Sequence, residues 1–277
     1  MIEKEEIKDW QHFLSLAERM SSDGPEGPII FRGQSDAEWF LTPSITRILK
    51  NNNLDQKQGL DIENKALISF KRQAHLASNF CKGLNPNDPL LWWEIMQHYN
   101  APTRLLDWSS SPYVALYYAV EDLSEKDGAL FTFDAGHLTF VKINPDDLEN
   151  KDWVANDFQQ LNKSINNEKY EKTIIVVGSP KPTDRMVAQQ SEFTVCTELL
   201  YDHDTFADEL VFSGVHGGEG HSIVKKYTIP SKLKPRFLAN LEMMNITANA
   251  LFPGIDGLGK SIKELVNIRS ARLNNAI

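Results

Sequence analysis

Residues 102–121 read PTRLLDWSSSPYVALYYAVE, and the fold turns on how this stretch is divided. Arg104 to Trp108 is a short run rich in large apolar residues that predicts a strand. The serines 109–111 predict a tight turn, and Pro112 opens a helix carrying Val114, Ala115, Leu116, Tyr118 and Ala119. A serine directly before a helix-opening proline is the pattern of an N-cap. A strand turning into a helix also leaves backbone N–H groups and hydroxyls aimed at one point, where a polar ligand can sit. Ser109, Ser110 and Ser111 are therefore candidate ligand contacts, with helix capping by Ser110 or Ser111 as the plainer alternative.

Upstream, Ile29-Ile30-Phe31-Arg32-Gly33 is a β-rich run stopped by glycine, so Arg32 sits at a strand end beside open backbone. Its guanidinium suits a carboxylate or a phosphate. An internal ion pair with Asp107 is the other reading. Between these two strands, residues 57–82 and LLWWEIMQHY carry helical apolar spacing, which makes the first half a helical insertion. A helix over 9–20 precedes it. Strands are expected at 129–133, 138–143, 173–177, 193–196 and 222–229, and the end of the chain reads helix, Pro-Gly turn, helix. The expected class is α+β, a mixed, mostly antiparallel sheet with helices packed on it. Residues 1–28 form an N-terminal helix and loop, 29–230 the main domain, and 231–277 a C-terminal helical appendage packed on it.

Gln189-Gln190-Ser191-Glu192 opens a strand in which period-two alternation sets Gln190 and Glu192 on one face. A carboxylate and an amide would then address one site, although surface glutamates at strand edges look the same. His98 lies shortly before the serine strand. Asp202, His203 and Asp204, with His216 and His221, match no metal spacing and are expected in a solvated loop, so no metal site is predicted. Trp92 and Trp93 are expected in the core.

The chain carries 29 Lys+Arg against 38 Asp+Glu, a formal charge of −9, which repels phosphate backbones and disfavours broad nucleic-acid binding. Its two cysteines, Cys81 and Cys196, have no metal or redox spacing and are expected to be buried thiols in a reducing compartment. The charged start MIEKEEIKDW has no apolar leader, and no run approaches the roughly 18 apolar residues of a membrane span, so a cytoplasmic protein outside the membrane is expected.

Phe31-Arg32-Gly33-Gln34, Trp39, Leu41-Thr42-Pro43-Ser44, the block from Gln97 to Trp108, Ser111-Pro112 through Ala119, and Arg185 with Gln189-Gln190-Ser191 together resemble the FRG-domain family. A more distant resemblance is to NAD-dependent ADP-ribosyltransferases, which order an arginine, a Ser-x-Ser and a Gln/Glu-x-Glu along the chain. That resemblance implies an ADP-ribosyltransferase-like fold and NAD as substrate, with mono-ADP-ribosyl transfer or NAD glycohydrolysis as the reaction. Arg32 would hold the NAD phosphates or ribose, Ser109 or Ser111 would support the nicotinamide-ribose pocket, and Gly33, Gln34, His98 and Ser110 would add to the cofactor site. Glu192 would stabilise the oxocarbenium-like transition state, and Gln190 would orient the acceptor, a protein, a nucleic acid, a small molecule or water. The FRG pattern leaves open whether Glu192 or the pair Gln189/Gln190 is the working side chain. A toxin or phage-defence effector is the setting that family analogy implies. The alternative is a non-catalytic module of the FRG family that binds a nucleotide-like ligand or a protein.

Overall fold

The computed structural model describes residues 2–21, 28–77, 81, 84–85, 88–135, 174–179, 182–209 and 223–273. Its strands are β1 (Glu3–Glu6), β2 (Ile29–Gln34), β3 (Leu105–Ser109), β4 (Gly128–Asp134), β5 (Ile174–Val177), β6 (Ser191–Cys196) and β7 (Val224–Ile229). They form one sheet in the order β1-β7-β4-β2-β3-β6-β5. All neighbours are antiparallel except β1, which runs parallel to β7. The α+β class and the mixed, mostly antiparallel sheet are thus present. The expected strand at 138–143 lies outside the described residues.

Helices α1 (Trp10–Ser21), α2 (Ser44–Asn51), α3 (Gln56–Ala77), α4 (Pro89–His98) and α5 (Pro112–Val120) come from the first half. The second half supplies α6 (Asp184–Ala188), α7 (His203–Glu209), α8 (Lys234–Met243), α9 (Ala248–Leu251) and α10 (Ile255–Leu273). One face of the sheet is covered by two separate blocks. Helix α5 packs with α1, α8, α9 and α10 around Phe31, Leu130 and Ile229. Helices α3 and α4 pack on Leu105, Phe193 and Val195. The opposite face buries Ile30, Leu106, Trp108, Phe131 and Phe133 with Phe206 of α7.

Helix α5 is apolar all round, as a helix enclosed on every side must be. It is seated on two glycines. A Cβ on Gly33 would lie 1.8 Å from the Ala115 carbonyl oxygen, and one on Gly128 would lie 2.2 Å from that of Ala119. Neither position accepts a side chain without lifting the helix. The C-terminal segment is tied to the same place, because the buried Lys234 donates from Nζ to the carbonyls of Ser35 (2.7 Å) and Asp122 (3.1 Å).

Two sequence expectations change. Residues 202–204 are not a solvated loop: Asp202 accepts from Thr205 N (2.9 Å) to start α7, and His203 is fully buried. His216 and His221 lie outside the described residues. β1 was not expected, because EKEE has no apolar alternation; its side chains are all exposed, and a charged edge strand of this kind resists pairing with other chains. Cys81, Cys196, Trp92 and Trp93 are buried as expected, and both thiols are free. No helix among the described residues is long and apolar enough to cross a membrane.

Three further polar sites in the interior bear on stability. Arg104 and Glu63 form a buried bidentate ion pair, with the guanidinium 4.9 Å from the Trp93 ring centre. Below the sheet, Trp108 Nε1 donates to Thr194 Oγ1 (2.8 Å), whose hydroxyl lies 2.6 Å from His203 Nε2. The other ring nitrogen, Nδ1, lies 3.6 Å from Cys196 Sγ. Burial pulls His203 down to about 3, so it stays neutral. Under α4, burial pushes Glu94 up to about 7, opposed by the Ser179 hydroxyl donating at 2.6 Å. Glu94 Oε1 is buried without a hydrogen-bond partner.

These two groups act on stability in opposite directions. Glu94 binds its proton more tightly when folded, so its contribution is full below the ordinary carboxylate value and is lost as pH rises through about 7. His203 binds its proton less tightly when folded, so stability falls as pH drops from about 6.5 towards about 3. Glu94→Gln removes the first effect alone. Its stability relative to wild type should increase between about pH 4.5 and about pH 7 and level off above, at up to about 1.4 kcal/mol per pH unit. Urea denaturation at several pH values measures this, and a difference independent of pH would contradict it.

Candidate functional site

The sheet has a seam. Among the described residues, β2 and β3 are joined by a single register pair, Phe31↔Ser109, whereas β2 pairs with β4 over six positions. Arg32 occupies the opening. Its backbone pairs with Phe131, which points away from α5, yet its Nη1 crosses the gap and donates to the Asp107 carbonyl at 2.7 Å. A guanidinium there replaces a missing ladder bond. Arg32 Nε is buried and has no hydrogen-bond partner. Burial pulls the guanidinium below its ordinary value, and Asp107 partly offsets this.

Directly over the seam, between the two helical blocks, lies a cavity of about 370 Å³. Its walls come from β2 (Phe31, Arg32, Gly33), β3 (Asp107, Trp108, Ser109), β6 (Ser191, Phe193) and α5 (Ala115, Tyr118). Gln97 and His98 at the end of α4 and Arg185, Met186 and Gln189 around α6 close it. Arg185 is stacked 4.8 Å from the Phe252 ring centre, with Nη1 3.5 Å from the His98 carbonyl. His98 is pulled below its ordinary value by burial and by Arg185, so it is neutral at pH 7. Asp107 is the one carboxylate among the described residues that line the cavity. Burial pushes the Tyr118 phenol up, so it stays protonated beside both guanidiniums.

Of the residues singled out from sequence, Arg32, Gly33, His98 and Ser109 line this cavity together with Gln189. Ser110, Ser111, Gln34, Gln190 and Glu192 do not. Gln34 is buried on the far face, donating from Nε2 to the Phe40 carbonyl at 3.4 Å. Gln190 has φ +48° in the turn before β6, so strand alternation does not reach it. Glu192 pairs with Trp108 and lies on the face opposite Ser191 and Phe193's neighbour Asp107, taking a hydrogen bond from Ser110 Oγ at 3.4 Å. Burial raises its carboxyl, and the Ser110 hydroxyl opposes this.

The serine turn does structural work. Ser109 Oγ donates to the Gln189 carbonyl (2.8 Å) and accepts from Ser111 N (3.1 Å), while Ser111 Oγ caps α5 by accepting from Val114 N (3.3 Å). Ser110 N donates to the Gln190 carbonyl at 2.9 Å. The expected Arg32–Asp107 ion pair is loose: Nη1 and Oδ2 are 3.9 Å apart, and the Asp107 side chain is 55% exposed. Sequence reading missed Tyr118, which the uniformly apolar α5 disguised as core, and Gln97, whose role follows only from its partners.

An α+β protein with a cationic cavity at a sheet seam is the class that this arrangement defines. Residues 27–128 match the FRG domain, a stretch running from just before β2 to the first residue of β4. The match contains Arg32, Gly33, His98, Asp107 and Ser109; Arg185, Gln189 and Ser191 complete the cavity from beyond it. No curated protein and no solved structure matches the chain.

Ser109→Ala leaves the Gln189 carbonyl and the Ser111 amide without their hydroxyl partner and should cost about 1–3 kcal/mol. Ser110→Ala, at an exposed hydroxyl, should leave stability unchanged. Equilibrium urea unfolding of both variants tests the assignment, and equal effects would refute it.

Proposed function

We propose that the cavity binds a nucleotide-like ligand through its phosphates, with NAD as the first candidate. The observation that carries this reading is Arg32, a guanidinium on the cavity wall with a buried, unpartnered Nε and only a loose ion pair, 3.9 Å to Asp107, in a protein of net charge −9. A buried donor left unpaired is costly, and an anion bound at the guanidinium would supply its partner. Arg185 supplies a second guanidinium, and Gln97 and Gln189 supply amides that suit sugar hydroxyls. The volume falls within the range of small-molecule sites. Ligand recognition, as a binding module of the FRG type, is the function this geometry supports best.

A second reading is cleavage of the NAD glycosidic bond, by transfer or hydrolysis. What favours it is strand order: β2, β3 and β6 are adjacent, so Arg32, the serine turn and the Gln190–Glu192 segment follow one another across the sheet. That chemistry needs a carboxylate facing the ribose as positive charge develops there. Glu192 lies off the cavity lining, so in this reading β6 must present it differently when substrate is bound.

NAD should raise the melting temperature saturably, since binding to the folded state alone adds RT ln(1 + [L]/Kd), about 2.7 kcal/mol at a hundredfold excess over Kd. Arg32→Ala and Arg185→Gln should each remove most of the shift. Absence of a shift with NAD, ADP-ribose and ATP alike would overturn the proposal. Release of nicotinamide from labelled NAD, followed by chromatography, separates the second reading from the first.

A further inference from the structure

Asp107 is out of place in a cavity built for phosphate, and its surroundings aim it. Gln97 is fixed from one side, because its Oε1 accepts the Thr103 hydroxyl. Its amide nitrogen is thereby turned to the Leu105 carbonyl (3.3 Å) and to Asp107 Oδ2 (2.8 Å). Oδ2 is held and Oδ1 takes no hydrogen bond among the described residues. The nearest cation, Arg32, spends its Nη1 on the Asp107 main-chain oxygen at 2.7 Å and stands 3.9 Å from the carboxylate. Arg185 has no ion pair among the described residues. The cavity therefore offers one guanidinium, Arg185, with no ion pair among the described residues and, at the seam, an oriented carboxylate that its neighbouring arginine engages only loosely, at 3.9 Å.

We infer that Asp107 selects for positive charge: the ligand carries a cationic ring as well as phosphate, and Asp107 distinguishes an oxidised nicotinamide dinucleotide from its reduced form. This rests on the nucleotide-binding reading above. A lone carboxylate on the wall disfavours a purely anionic ligand and favours one whose own cation meets it, because specificity follows from the unmatched charge as much as from the matched one. Phosphate is left to Arg185 and to the unpaired face of Arg32. The pyridinium of the oxidised dinucleotide has the required charge, which reduction abolishes while leaving the phosphates and both riboses intact.

The test is isothermal titration of wild type and Asp107→Asn with NAD, NADH and ADP-ribose, and with carba-NAD so that turnover does not distort the oxidised arm. Asn preserves shape and can still accept from Gln97, and the site is exposed enough for folding to be unaffected. Wild type should bind NAD and carba-NAD about tenfold more tightly than NADH, with the ratio falling close to one in Asp107→Asn. ADP-ribose, which lacks the ring cation, should bind the variant at least as tightly as wild type. An unchanged NAD:NADH ratio in the variant, or no preference in wild type while ADP-ribose still binds, overturns this inference and leaves ligand binding standing. Failure of all four ligands to bind wild type removes the nucleotide reading and this inference together.

Discussion

The close seating of α5 on the glycine floor is the constraint from which the other geometry follows. A backbone oxygen cannot share space with a side chain, so Gly33 and Gly128 let α5 lie lower on the sheet than any other residue pair would permit. That depth sets where Ser111 caps the helix, and hence where the turn meets Gln189 and Gln190. It also sets how far Ala115 and Tyr118 stand from Arg32. The glycine of the Phe-Arg-Gly run is explained by helix packing, the phenylalanine by burial beneath the same helix, and the arginine by the opening beside it.

Polar chemistry is divided by the sheet. The side facing the helical blocks carries the cavity, where charge is accessible and only loosely paired. The other side carries Trp108, Thr194, His203 and Cys196, each in contact with the next, with His203 held neutral by burial. Arg32 belongs to both sides: its strand position faces the neutral chain, and its guanidinium reaches the cavity. Its proximity adds to the depression of His203, so the neutral network is also the arrangement that a buried guanidinium tolerates beneath it.

Much of this was legible in the sequence wherever local pattern and tertiary demand agree. The strand, serine turn and helix of residues 102–121 read correctly because apolar run, hydroxyl cap and Pro112 all point the same way. β1 was not legible, since an exposed edge strand needs no apolar face. His203 read as solvated because its two flanking aspartates dominate the local pattern, and only the long-range approach of Thr194 and Leu41 encloses it. The direction of Glu192 was hidden for a different reason. Alternation was counted from Gln190, which the turn holds at positive φ, and a strand's parity can be counted only from where its ladder begins.

The single register pair between β2 and β3 gives the molecule a line of mechanical compliance. Four strands on one side and three on the other are each stitched by continuous ladders, while within the sheet the described residues join the two by Phe31↔Ser109 and one guanidinium, and above it by Gln189 and Arg185 against Leu251 and Phe252. A small rotation of one half against the other about this line strains few backbone bonds. It changes the width of the cavity directly above, because the α5 wall travels with one half and the α4 and α6 walls with the other. The cavity thus lies over the sheet's narrowest junction, where an occupant of the kind proposed, bridging both arginines, would act as a splint across the sheet.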